Sequence, residues 1–240
     1  EIPTLIFYGV FGYAMVQLGY FIGISRGVPL SLVLIIEFTA PIWIVLWIKF
    51  VRKSVVANDM WIAIALSLLG LILVAKAWQG FVFDLIGTLG ALGAALTLAV
   101  YFLMSQSQGT KRSAQAMIVW GFGVSGLFWS LVLPIWNFPT AIFTTDINLQ
   151  GRFSEYSAPG WLLIAYIVVF GTMVPYLFVV GGIRRLSAAT SSVIGMLEPV
   201  IAGVFAWIWL SQSWSAIQLF GGAIVLIGIY IADRAKTNAK

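Results

Sequence analysis

The stretch Ile194–Gly203 reads IGMLEPVIAG, and it lies in a segment, Leu186–Ala232, whose one charged residue is Glu198. Pro199 follows the acid directly. A charge at the centre of a bilayer costs about 2.5–3.5 kcal/mol on insertion scales. Proline in turn lacks the N–H that a helix interior needs. An almost wholly apolar segment that keeps both needs a reason, and the rest of the chain supplies its setting.

Apolar residues make up 61% of the 240, charged residues only 9%, and the mean hydropathy is +1.03. A soluble domain is nearer half apolar and a quarter charged, so this chain is built for lipid. Runs of about 20 apolar residues, the length that spans hydrocarbon, occur eight times. They are Thr4–Ser25, Pro29–Phe50, Met60–Trp78, Phe81–Ser105, Ala114–Trp136, Gly160–Ile183, Ser187–Leu210 and Ala216–Ala232. The fold class read from them is an all-α integral membrane protein with eight transmembrane helices. The first run is span-length and has no basic residues before it, so it reads as a span and not as a cleavable signal.

Cysteine and histidine are both absent. That removes disulfides, thiolate nucleophiles, imidazole bases and the common zinc ligand sets. Neither a metal nor another cofactor is expected. The net charge of +5 is explained by topology without nucleic acid. If the first residue is cytoplasmic and eight spans follow, ten basic residues fall on the cytoplasmic side: Lys49, Arg52, Lys53, Lys111, Arg112, Arg184, Arg185, Arg234, Lys236 and Lys240. Three (Arg26, Lys76 and Arg152) fall outside. This positive-inside bias places both ends of the chain in the cytoplasm of a cell with an inner or plasma membrane. Arg184 and Arg185 then read as interfacial anchors. The long connection Asn137–Pro159 faces outward as a solvated loop, with a lid over an entrance as the alternative.

A shift of 158 residues lays the first three spans on the last three without a gap. Gly23 meets Gly181, Arg26 meets Arg184, Ile36 meets Ile194, Pro41 meets Pro199 and Gly70 meets Gly228. Paired spans are five helices apart, so each pair crosses in opposite directions, which is the inverted-topology repeat of transporters. The fourth and fifth spans have no earlier counterparts, and the chain starts at Glu1 without a Met. The expectation is a fragment of a five-plus-five bundle that lacks two N-terminal spans, about 75–80 residues at this span length.

The segment LSAATSSVIGMLEPVIAGVFAWIWL followed by SAIQLFGGAIVLIG resembles the second EamA repeat of the drug/metabolite transporter superfamily. SRGVPLSLVLIIEFTAPIWIVLWI followed by MWIAIALSLLGLILV resembles the matching part of the first. The resemblance implies residues 1–80 as an incomplete first repeat of three helices and 81–240 as a second repeat of five. It implies ten helices in all and outward movement of small metabolites or drugs. Where the family commonly ends the helix equivalent to the seventh span with Gly-Glu, Ser211–Gln212 stands here.

Glu198 falls near the bilayer midplane. Ser191, Gly195 and Ala202 share its helical face, a small-residue stripe that permits close helix approach or lines a cavity. It is a candidate for proton coupling or substrate binding; otherwise a protonated Glu198 simply bonds a neighbouring helix. Glu37, among Val33, Leu34, Ala40 and Ile44, is the second candidate. Pro199 and Pro41 deprive the carbonyls of Gly195 and Glu37 of helical donors, so each repeat sets a hinge beside an acid. Tyr13, Gln17 and Tyr20 share one face, as do Thr97, Tyr101 and Ser105. Both stripes suit a polar ligand or, equally, interhelical hydrogen bonds worth about 0.6 kcal/mol each. Gly87, Gly90 and Gly93 read as packing residues, and Trp43 and Trp47 as one aromatic wall. The reading is therefore a transporter of a small-molecule substrate in a lipid bilayer, exporting by alternating access, with oligomeric state open. A lipid-modifying enzyme and a channel or scaffold subunit are the rival classes. Asp59 and Asp84 fall on opposite sides, against the first rival, and no stripe of like pore-lining residues supports the second.

Overall fold

A computed structural model describes residues 2–79, 84–133 and 135–237. The chain is almost entirely helical because backbone N–H and C=O groups in hydrocarbon have no water to bond and must bond within the segment. The helices are α1 (Ile2–Ser25), α2 (Leu30–Val51), α3 (Asn58–Val74), α4 (Leu85–Gly109), α5 (Ala114–Val132), α6 (Gly160–Arg185), α7 (Ala188–Leu210) and α8 (Ala216–Ala235). Seven of them are long and apolar enough to cross a membrane; α3 is an apolar helix of 17 residues. The fourth run and the boundary between the two repeats begin at residues 80–81, outside the described residues, as do Glu1 and Lys240.

Helix ends follow local chemistry. Asp84, Ser113 and Ser187 cap α4, α5 and α7, each side chain accepting a backbone N–H of the first turn. The fifth run was expected to reach Trp136, but α5 stops at Val132 and Leu133 is extended. Pro134 explains this, since the residue before a proline is pushed out of the helical region. Likewise α3 ends at Val74 instead of Trp78, and Lys76 takes a left-handed turn.

Small residues set the helix pairing. The α1–α4 contact is made where Gly19 meets Gly90 and Ala94, and Gly23 meets Gly87. The most extensive pairing is α3 with α8, with Gly70 against Gly221 and Val225, and Gly228 against Ala63 and Ser67. Close backbone approach replaces the hydrophobic drive that helices lack in lipid. Tyr8 bonds Ser105, the Lys49 ammonium lies over the Trp61 ring, and Arg184 donates to the Gly109 carbonyl. These contacts bring the starts of α1 and α3 together with the ends of α2, α4 and α6. Lys49, Arg52, Lys53, Lys111, Arg112, Arg184, Arg185 and Arg234 collect at this basic end. The loop between α5 and α6 lies at the other.

The main core is shared by all eight helices, while α6 and the second half of α7 remain mostly exposed. In the loop, Asp146–Asn148 pairs antiparallel with Ser157–Pro159. The loop also docks. Arg152 Nε donates to Ser211 Oγ at 3.0 Å, Trp209 Nε1 donates to the Leu149 carbonyl at 2.8 Å, and the Phe153 and Trp209 rings lie 4.7 Å apart. The connection is thus a strapped element over the end of α7 and not a merely solvated one.

Candidate solute site

Two helices are interrupted in mid-course. In α2, Leu30–Glu37 stops at Phe38–Thr39 and restarts as Ala40–Leu46. In α7, Ala188–Gly195 stops at Met196–Leu197 and restarts as Glu198–Leu210. Pro41 and Pro199 are each the second residue of a restarted segment, in the first turn, where a helix N–H has no intrahelical partner and proline loses nothing. The prolines therefore begin helices instead of bending them from within. Tightened bonds span the gaps, such as Thr39 N to Ile36 O at 3.0 Å and Leu197 N to Ile194 O at 2.9 Å. The Thr39 hydroxyl also donates to Ile36 O at 2.6 Å and accepts from Trp43 Nε1 at 3.3 Å.

The acids flank these gaps. Glu198 stands in the first turn of its segment and Glu37 is the last residue of its own. A helix start favours negative charge by about 0.3–1 kcal/mol, and a helix end opposes it. Glu37 is half-buried, and Glu198 is exposed on the described chain. The two carboxyls lie within electrostatic reach of one another. Tyr20 of α1 and Tyr176 of α6 lie within reach of both. Among the described residues no basic side chain pairs with either acid.

From the loop end, a cleft of about 530 Å³ runs down to Pro199, next to Glu198. Leu34 and Ile35, Leu71 and Val74, Gly203 and Trp214 form its walls. Trp214 lies so close that a side chain at Gly203 would collide with it, and its Nε1 donates to the Gly203 carbonyl at 2.9 Å.

The other residues singled out in the sequence divide. Tyr13 and Tyr101 are buried together, ring centroids 5.3 Å apart. Tyr20 is half-buried and within electrostatic reach of the acids, but Gln17 is exposed. Thr97 donates to Gly93 O at 2.9 Å and Ala94 O at 3.1 Å in its own helix, so its hydroxyl is spent locally. The Ser191 hydroxyl is buried without a partner, two turns before Glu198. Tyr8 and Tyr176 were missed. A phenol inside an apolar span was the signal available for each.

A helical bundle with two broken helices, and an acid at each break, defines a multi-pass membrane protein of the transporter kind. The model of the EamA-like transporter family matches residues 85–232, and the chain belongs to that family. It is 24% identical over 235 residues to the uncharacterized transporter YdfC of Bacillus subtilis, covering 95% of this chain and 70% of that protein. It is 27% identical over 226 residues to the threonine/homoserine exporter RhtA of Escherichia coli K12, covering 92% and 68%. One crystal structure is similar at a TM-score of 0.76 and 15% identity, over 97% of this chain and 76% of its own, which speaks to the fold alone.

Proposed function

We propose that this chain is the larger part of an alternating-access exporter of small polar metabolites, coupled to protons through Glu198 and Glu37. The observation that carries it is an acid at the break of each of two helices, the two within electrostatic reach of one another and neither paired with a basic side chain among the described residues. Two negative charges at that depth require a proton, a cationic group on the solute, or water. Protonation biases which side is open, because the charged form is penalised when the site is dry.

The inverted repeat fits the same reading. The gaps at Phe38–Thr39 and Met196–Leu197 are 158 residues apart, the offset that aligns the spans. The π-helical turns Val10–Ala14 and Ile167–Met173 overlap under that offset. Eight spans and a basic end in the cytoplasm complete the proposed arrangement.

The test is transport by the full-length protein in proteoliposomes. Threonine is the first solute, chosen because RhtA is named as its exporter. Glu198→Gln keeps the shape and is expected to fold, yet to lose at least tenfold of the pH-gradient-driven rate. Exchange at equal pH survives. An unchanged pH dependence makes Glu198 structural and ends the coupling reading.

A further inference from the structure

Between the acids and the basic end the interior is filled by phenol rings. Tyr13 of α1 is the hub. Its centroid lies 5.3 Å from Tyr8, 5.3 Å from Tyr101 of α4, 5.2 Å from Tyr176 of α6 and 5.1 Å from Phe122 of α5. The Tyr8 hydroxyl is 2.8 Å from Ser105 Oγ and 3.3 Å from the Tyr13 hydroxyl. Tyr101 is only 3% exposed, and its hydroxyl is buried with no partner.

A permanent core of this size is made more cheaply from phenylalanine and leucine, because a buried hydroxyl left without a partner, as that of Tyr101 is, costs about 1–3 kcal/mol. Four phenols and a serine at one level are accounted for if, in another state, a solute or water reaches them. Their position supports this. The cleft approaches the acids from the loop end as far as Pro199, and the rings fill the opposite side. Tyr176 joins the two, within electrostatic reach of both acids and stacked on Tyr13. The helices that carry the cluster are also irregular beside it. Tyr13 lies inside the π-helical turn Val10–Ala14, and Ile167–Met173 ends just before Pro175 and Tyr176. Such turns recur at functional sites.

We propose that Tyr8, Tyr13, Tyr101 and Tyr176 are the closed gate on the basic-end half of the solute path. When α1 and α6 shift at their π-helical turns the rings part, and the phenols and Ser105 become the lining that hydrogen-bonds a small polar solute. The cluster brings no formal charge, so it passes hydroxyl, amide and ammonium groups without holding them. The proposal rests on the transporter reading but not on proton coupling.

The chain has no cysteine, so Ser105→Cys adds a single thiol to it. In the full-length protein, with any further cysteine replaced, its reaction with a membrane-impermeant methanethiosulfonate is measured from the basic side. Labelling is slow in the parent and with Tyr13→Phe, which keeps the ring. With Tyr13→Ala the hub is gone and labelling rises at least tenfold. Ser125→Cys, buried in α5, stays unreactive in every background. An unchanged slow rate in Tyr13→Ala overturns the gate. So does equal acceleration at Ser105→Cys and Ser125→Cys, which marks the cluster as ordinary core. Labelling needs no transport, so this result and the Glu198→Gln result can fail independently.

Discussion

Gly70 and Gly221 each occupy the space that a side chain on the other helix would need. A Cβ at Gly70 would lie 2.6 Å from the Gly221 carbonyl oxygen, and one at Gly221 would lie 2.7 Å from the Gly70 oxygen. Across the same pair of helices, a Cβ at Gly228 would lie 2.9 Å from Ala63 O. Advancing Gly70 by 158 positions gives Gly228, and setting Gly221 back by as many gives Ala63. The α3–α8 seam thus repeats its own contacts about its middle, as two related elements packed face to face would.

Gly70→Ala is expected to destabilise the protein by about 1–3 kcal/mol, the range for overfilling a close-packed contact. Gly93→Ala meets open space and is expected to be neutral or stabilising by up to about 1 kcal/mol, since alanine is the better helix former. Thermal unfolding in detergent compares them. Equal behaviour of the two variants would remove the glycine seam as the source of the α3–α8 pairing.

Glu37→Gln is expected to lose the pH-gradient-driven threonine rate as Glu198→Gln does. If the acids act as one unit, the double variant is no worse than the poorer single one, because coupled neighbours are not additive. Initial rates of the three variants decide this. Losses that multiply would assign the acids to separate sites.

The strap over α7 depends on Gly151. Its φ is +56°, and a side chain there would run into the backbone of Trp209 and Leu210. Gly151→Ala is expected to release the loop, and Arg152→Ala to weaken its docking by about 0.5–1.5 kcal/mol through the lost bond to Ser211. Hydrogen exchange or proteolytic nicking across residues 140–159 reads the release. Unaltered protection in Gly151→Ala would mean that other contacts hold the strap.

Reporter fusions after Lys240 and within residues 146–155 are expected to report opposite sides of the membrane, the first cytoplasmic. Ten basic residues against three underlie this. Activity of the same reporter at both points would refute the topology and the inverted repeat together.

Much of the fold was legible because lipid is a strict solvent. Long apolar runs must be helical there, and carboxylates or prolines inside them stand out against so uniform a background. IGMLEPVIAG showed where α7 would be irregular, and the 158-residue offset marked the matching place in α2. The exact form of the break was not legible. Proline at an interior position and proline at the start of a new segment look the same in a sequence. The difference is a two-residue gap that only backbone dihedrals display.

What the sequence by itself determined is the medium, the helices and the points where their regularity fails. The tertiary structure decided which side chains share a space. Helical spacing assigns a residue to a face of its own helix and carries no information about the helix opposite. Tyr13 lies inside a π-helical turn while Gln17 and Tyr20 follow it in regular helix, and the stripe of the three divides. Tyr13 enters the ring cluster, Tyr20 lies within electrostatic reach of the acids and Gln17 is exposed. Tyr176 gains its place only because α6 packs where it can touch Tyr13. Such pairings belong to long-range packing, and no local pattern along the chain encodes them.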